Sequence, residues 1–227
     1  MNDAAKRIAG EAAARLVENG MRVGLGSGST MRHAVAALAA RVAREGLKIL
    51  GFPTSSETEA QARAAGIPLA EPDATPIDLA LDGSDEIELG TLRLVKGHGG
   101  ALLREKIVAQ ASRRFVIVAD ATKLVRQLGT KMALPVEISR FGHAATLHRI
   151  ADLGGAPTLR LAAGQPFVTD GGNVIADCAG FAPIRDPYTL ERSLRSIAGV
   201  LGTGLFLMPI ELALIGQDDG SVQELRS

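Results

Sequence analysis

The chain has a single cysteine, Cys178, among 227 residues. That excludes an intrachain disulfide and points to a reducing compartment. Neither sign of charge is in excess, since 25 Lys and Arg balance 25 Asp and Glu. No basic stripe or long block of like charge occurs, which argues against nucleic acid as the main partner. Apolar runs are short, and none approaches the roughly 20 residues that a membrane span requires. The first stretch, MNDAAKRIAGEAAARLVENG, has the pattern of an amphipathic helix and lacks the apolar region of a signal peptide. The four histidines (His33, His98, His143 and His148) form no HxH or HxxxH pair, so no metal site is expected. What is present suits a cytoplasmic globular protein. Its composition is 46% hydrophobic and 22% charged, enough for one large domain or a domain plus a small one.

Helix and strand patterns alternate through the first half, which predicts an α/β domain with a Rossmann-like, mostly parallel sheet and helices on both faces. Asn2 or Asp3 is placed to cap a first helix ending near Asn19-Gly20. Strands are expected at Met21–Leu25, Leu47–Phe52, Ile77–Leu81, Leu92–Val95 and Phe115–Ala119, and helices at Thr30–Glu45, Ser56–Ala65 and Gly100–Ala111. After about Gly129 the texture changes. Short strands at Leu134–Ile138, Leu159–Leu161, Phe167–Thr169 and Val174–Ala176 surround a hairpin-like turn at Asp170-Gly171-Gly172-Asn173. Helical patterns lie at Gly142–Asp152 and Tyr188–Ser196. Two helices on a small antiparallel sheet make an α+β, ferredoxin-like subdomain, placed at residues 131–201 and read as a lid or subunit-contact element. Residues 1–130 and 202–227 form the main domain, with Leu201–Leu207 and Leu212–Ile215 returning to its sheet.

Five expected strands of the main domain deliver polar loops to one edge of the sheet, the edge where open α/β folds bind ligands. The first loop, Gly24-Leu25-Gly26-Ser27-Gly28-Ser29-Thr30, joins a strand to a helix. Backbone N–H groups and the helix dipole favour an anion there. It is not a P-loop, because no Gly-Lys-Ser/Thr follows, and Met31 stands where GxGxxG needs its third glycine. A sugar phosphate or carboxylate fits better than a nucleotide; a tight turn that merely needs glycine is the plain alternative. The second loop holds Asp82 and Asp85, placed to converge on neighbouring hydroxyls of one ligand or to serve as ordinary turn acids. Glu86 and Glu88 are read as a solvated rim. In the third, Lys96 ends a strand and precedes Gly97-His98-Gly99-Gly100, an arrangement suited to an anion or to developing negative charge. Lys123 follows the fifth strand and is placed to cap a helix or reach a phosphate.

Glu105 is the sharpest single signal. On a helix it neighbours Ala101, Leu102, Val108 and Ala109, all apolar, within a segment Ala101–Ala111 that reads as apolar nearly all round. A carboxylate on such a face is desolvated, and desolvation makes carboxylates stronger bases. A buried ion pair with Arg104, Lys106 or a distant Arg is the competing reading.

Taken in order, GSGST (26–30), LDGSDE (81–86), KGHGGALLREKIVA (96–109) and ADATK (119–123) resemble the type A ribose-5-phosphate isomerases, with support from VTDGGNVIADC (168–178) and LALIG (212–216). The resemblance runs from about Ala13 to Gly220. It implies metal-independent interconversion of ribose 5-phosphate and ribulose 5-phosphate, with no cofactor, in a homodimer or homotetramer. It further implies that Ser27, Gly28, Ser29 and Thr30 hold the phosphate and nearby hydroxyls. Asp82, Gly83, Ser84 and Asp85 match the second substrate loop, with Asp82 similar to the acid that opens the furanose ring. Lys96, Gly97, His98 and Gly99 match the loop that polarises the reacting oxygens. Glu105 matches the base moving a proton between C1 and C2, and Lys123 matches a further substrate-binding Lys. Two departures stand out: His98 replaces a usual glycine, and Leu103 a usual threonine. Two rivals remain, a sugar-phosphate-sensing effector domain of related fold and a CoA transferase-like enzyme with Glu105 as nucleophile. Glu105 and Lys96 together favour the isomerase.

Overall fold

The computed structural model describes residues 3–226, so Asn2, one of the two expected helix caps, lies outside the described residues. The chain forms two compact units, one of Met1–Ser84, Arg104–Lys123 and Met208–Ser227, the other of Asp85–Leu103 and Leu124–Leu207. The second unit is wider than the segment 131–201 read from sequence, because it also takes in Asp85–Leu103 and the chain on either side of that segment. Strands and helices are numbered along the chain.

The first unit is built on a six-stranded sheet of β1 (Arg22–Leu25), β2 (Leu50–Pro53), β3 (Leu79–Asp82), β6 (Phe115–Asp120), β15 (Leu212–Gly216) and β16 (Val222–Leu225), in the order β16-β15-β6-β3-β1-β2. All pairs are parallel except β15 with β16. Every residue of β6 is buried, as a strand covered on both faces requires. The helices are α1 (Asp3–Arg15), α2 (Ser29–Glu45), α3 (Ser56–Ala64) and α4 (Leu102–Gln110), the last assigned to this unit from Arg104 onward. Alternation along β1 separates their positions: Val23 and Leu25 join the core cluster containing Ala9 of α1 and Leu38 of α2, whereas Gly24 faces α4. A side chain at Gly24 would come within 2.6 Å of Val108, so this glycine lets α4 lie close to the sheet. The sequence capped these helices legibly. Gly46 adopts φ 70° and returns its N–H to Arg41 O, while Ser55 accepts from Thr58 N at the start of α3.

In the second unit, β8 (Leu134–Ile138), β9 (Pro157–Leu159), β12 (Val174–Cys178) and β13 (Val200–Thr203) form an antiparallel sheet in the order β13-β8-β12-β9. With α5 (His143–Asp152) and α6 (Pro187–Arg195) between strands, this is the βαββαβ arrangement of a ferredoxin-like fold. A second small sheet comprises β4 (Glu86–Glu88), β5 (Leu94–Val95), β7 (Leu124–Val125) and β14 (Leu205–Phe206), ordered β14-β5-β4-β7. The pair β10 (Leu161–Ala162) and β11 (Gln165–Pro166) makes a hairpin around Ala163 and Gly164, both at positive φ. Cys178 is buried, and desolvation with the neighbouring Asp177 charge pushes its thiol up to about 12.

Several expectations need correction. Leu201–Leu207 does not return to the main sheet: β13 pairs with β8 and β14 with β5. Glu86 and Glu88 are not a solvated rim but buried residues of β4. The Glu86 carboxylate accepts from Gly129 N, Lys131 N and Met132 N at 2.6, 2.6 and 3.2 Å, which satisfies it without water. Strand β5 starts two residues late, because Leu92 sits at φ 54° and cannot extend it. The α4 segment is not buried all round: Ile107 is 48% exposed, and the polar Arg104 and Gln110 face solvent. Among the described residues no helix is long and apolar enough to cross a membrane.

Candidate active site

Numbered among themselves, the five parallel strands run 2-1-3-4-5, so the sheet reverses its winding between β1 and β3. Open α/β sheets bind ligands beyond the carboxyl ends of their strands at such a reversal. The loops leaving β1 and β3 are Gly26–Gly28 and Gly83–Ser84, and they are bonded together. Gly26 N donates to Leu81 O at 2.8 Å, and Ser27 N to Asp82 Oδ1 at 3.2 Å. Gly83 N reaches the same oxygen at 2.7 Å. A side chain at Gly26 would overlap the Asp82 carboxyl, so the glycine is what allows these loops to meet. Thr58 Oγ1 donates to Gly26 O at 3.0 Å and braces the loop from α3.

Glu105 enters this group from α4. It is 5% exposed, and its helical neighbours Leu102, Val108 and Ala109 are buried, as is Ala101 just before the helix. Its Oε1 accepts a 2.6 Å hydrogen bond from Ser27 Oγ. The close approach of α4 over Gly24 is what brings the carboxylate to the β1 loop. Gly28 stands at φ 92° as the N-cap of α2, with Ser29 and Thr30 in its first turn. Ser29 Oγ accepts from Lys6 Nζ at 2.7 Å. Lys6 is buried, and the sequence reading passed over it as part of an amphipathic helix. A signal was present: Lys6 lies three, four and seven positions before Ala9, Gly10 and Ala13, in the small-residue stripe that faces the core. Lys123 closes a short 3-10 turn after β6, the strand next to β3; in that turn Thr122 N donates to Asp120 Oδ1 at 2.9 Å.

The remaining predicted residues are gathered in the second unit. Lys96 follows β5 and is buried, with Nζ 5.5 Å from the Phe206 ring centroid and its amide donating to Gly204 O. Gly97 takes φ 105°, over Leu102, where any side chain would collide. Asp85 N donates to Val95 O, and Asp85 Oδ2 accepts from His98 N at 2.8 Å. The His98 amide therefore braces the loop through Asp85 and does not stand open with its neighbours as sequence suggested. His98 itself is exposed. Sequence reasoning also missed Arg160, whose Nη1 donates to both Gly97 O and His98 O at 2.9 Å.

A family model described as ribose 5-phosphate isomerase A (phosphoriboisomerase A) matches residues 50–220. The chain belongs to this family. The ribose-5-phosphate isomerase A of Caulobacter vibrioides (strain NA1000 / CB15N) is 53% identical over 228 residues, covering 97% of each chain. The ribose 5-phosphate isomerase from Plasmodium falciparum superposes with a TM-score of 0.95 at 35% identity, over 100% of this chain and 99% of that one. A D-ribose-5-phosphate isomerase in complex with phospho-erythronic acid matches over 100% of both chains, with TM-score 0.94 and 33% identity. The isomerase family model begins at residue 50, so Lys6 and the loop at 26–30 lie outside its match but within the span of this chain that the Plasmodium structure covers.

Proposed function

We propose that the chain interconverts D-ribose 5-phosphate and D-ribulose 5-phosphate through an enediolate, a step of the non-oxidative pentose phosphate pathway. The observation that carries this reading is Glu105, a buried carboxylate held by Ser27 at the winding reversal of the sheet, in a member of the isomerase family. Glu105 removes the C2 proton of the open-chain aldehyde, and the electron pair flows to the C1 carbonyl oxygen. The same carboxyl group then returns the proton to C1, while the C2 hydroxyl gives up its proton, which passes to the C1 oxygen, so that C2 becomes the ketone and C1 the alcohol. A buried base keeps that proton from exchanging with water before it is returned.

The cation Lys6 and the start of α2 at Ser29 and Thr30 hold the phosphate, with Lys123 as a further cation. Asp82, whose Oδ1 accepts from Ser27 N and Gly83 N, takes the ring-opening role. Lys96 supplies positive charge to the enediolate, and Asp85 acts by orienting the Lys96–Gly99 loop. The scheme requires neither metal nor cofactor. The relatives reported above are isomerases, which favours catalysis over a sensing effector domain. The large exposed side chains Phe141 and Leu161 of the second unit support a homodimer or homotetramer, and the lone buried cysteine supports a cytoplasmic setting. The decisive experiment is a coupled assay of purified protein on ribose 5-phosphate, with arabinose 5-phosphate and allose 6-phosphate as comparisons. Turnover of the first is expected; a folded protein that fails to turn it over overturns the reading.

A further inference from the structure

Arg160 makes an unusually complete set of bonds for a residue outside the predicted site. It stands between β9 and β10, its backbone fixed on both sides: N donates to Ile175 O at 2.8 Å, and O accepts from Phe167 N at 2.9 Å. The side chain is 14% exposed. Nε donates to Asp177 Oδ2 at 2.9 Å and Nη2 to Asp177 Oδ1, a bidentate pair. Nη1 donates at 2.9 Å to Gly97 O and to His98 O. Four of the five N–H bonds of the guanidinium are thereby used, which only its rigid planar fork permits. Phe167 lies 6.0 Å from the guanidinium carbon, and its ring occupies the space a side chain at Gly100 would need.

We infer that Arg160, locked by Asp177, is a positioning residue that aims the backbone amides of the Lys96–Gly99 loop for the isomerisation. In a trans peptide the C=O and N–H of one unit point in opposite directions. Pinning the Gly97 and His98 carbonyls on Arg160 turns the N–H groups of His98 and Gly99 the other way. The first of these reaches Asp85 Oδ2, which orients the carboxylate; the second is left as the loop's donor toward developing negative charge. Asp177 neutralises the guanidinium, so the effect is one of geometry more than of field. Preorganised donors count because they need no reorganisation when charge develops, and losing one costs roughly 100- to 1000-fold in kcat. Misaiming one, with the donor still present, should cost on the order of 10- to 100-fold.

This inference rests on the isomerase reading, and its test separates the two. Wild type, Arg160→Gln, Arg160→Lys and Asp177→Asn are compared for kcat and KM on ribose 5-phosphate. Inhibition by phospho-erythronic acid, whose carboxylate carries two oxygens as the enediolate does, is compared with inhibition by inorganic phosphate. Arg160→Gln is expected to lower kcat on the order of 10- to 100-fold and to weaken phospho-erythronic acid in step. KM and phosphate inhibition should change by less than about threefold, since the phosphate loop is untouched. Lysine should not rescue, because it lacks the fork. Asp177→Asn should fall between Gln and wild type. Variants that keep wild-type kcat overturn the inference. So does a loss of kcat, analogue binding, phosphate binding and thermal stability together, which marks a role in folding alone. An inactive wild type sinks the isomerase reading instead.

Discussion

Ser27 Oγ donates a 2.6 Å hydrogen bond to Glu105 Oε1, across 78 positions of sequence. The bond joins the loop after β1 to the first turn of α4 and fixes where the buried carboxylate stands. A hydroxyl donor on one oxygen of a planar carboxylate orients the whole group. In the proposed reaction this is how a flexible Glu side chain becomes a base with one fixed approach to carbon.

Glu105→Gln is expected to lower kcat by roughly 100- to 10,000-fold, the usual value of a positioned general base. Ser27→Ala keeps the base and loses its orientation, so a fall of about tenfold is expected. Steady-state kinetics alongside a thermal melt check both. Near-normal turnover by a folded Glu105→Gln protein removes Glu105 from the role of base.

Lys6 offers a separate handle on substrate binding. Its Nζ sits on Ser29 Oγ at the start of α2, so Lys6→Gln withdraws a cation from the phosphate end without touching the reacting carbons. Hydrogen bonds to charged groups contribute about 1.5–3 kcal/mol. KM and the inhibition constant for inorganic phosphate are expected to rise together, on the order of tenfold or more, with kcat changing much less. A change in kcat alone would move Lys6 out of the phosphate site.

Much of where the candidate residues stand was legible in the sequence. The loops after β1 and β3, the lysine after β5 and the isolated acid of α4 all follow from strand ends and helical spacing, because burial leaves a local pattern. Lys6 was missed although its small-residue stripe was visible, since a helix pattern does not say which loop its face will meet. Arg160 left no pattern at all. Its role depends on a carbonyl pair 62 and 63 positions earlier, and tertiary bonds to backbone oxygen carry no signature in side-chain type. Glu86 was misjudged for the same reason. An acid beside Asp85 reads as exposed until the backbone amides of 129–132 are known to surround it.

Those amides give a stability prediction. Glu86→Ala leaves the N–H groups of Gly129, Lys131 and Met132 without their acceptor, and an unsatisfied buried donor costs about 1–3 kcal/mol. Part of the loop can turn toward water, so a total of about 3–5 kcal/mol is expected. Urea unfolding followed by circular dichroism measures it. A loss below about 1 kcal/mol would mean the segment finds other acceptors.

Arg114 and Glu211 supply a pH dependence. The two groups share a pair of hydrogen bonds at 2.8 and 2.9 Å. The Arg114 bond holds the Glu211 carboxyl below its ordinary value of 4.5, against a smaller opposing effect of burial. A depressed folded value means the stabilisation is fully present above pH 4.5 and is lost as pH falls through the folded value. Arg114 is raised further above its already high ordinary value by the same bond, so it stays charged throughout this window. Both side chains are more than a third exposed, which limits the pair to a few tenths of a kcal/mol. Glu211→Gln should melt slightly below wild type at pH 7, and the gap should close in acid. A gap that persists at low pH would assign the effect to packing.

Cys178 has a practical consequence for anyone studying movement in this protein. Its thiol is buried and pushed up to about 12, so near neutral pH it is protonated and shielded from alkylating reagents. A cysteine introduced at an exposed position such as Tyr188 would then be the one fast-reacting sulfur in the folded chain. Fluorophores or spin labels can be attached there with the native cysteine left in place, which gives a background-free probe of the second unit during turnover.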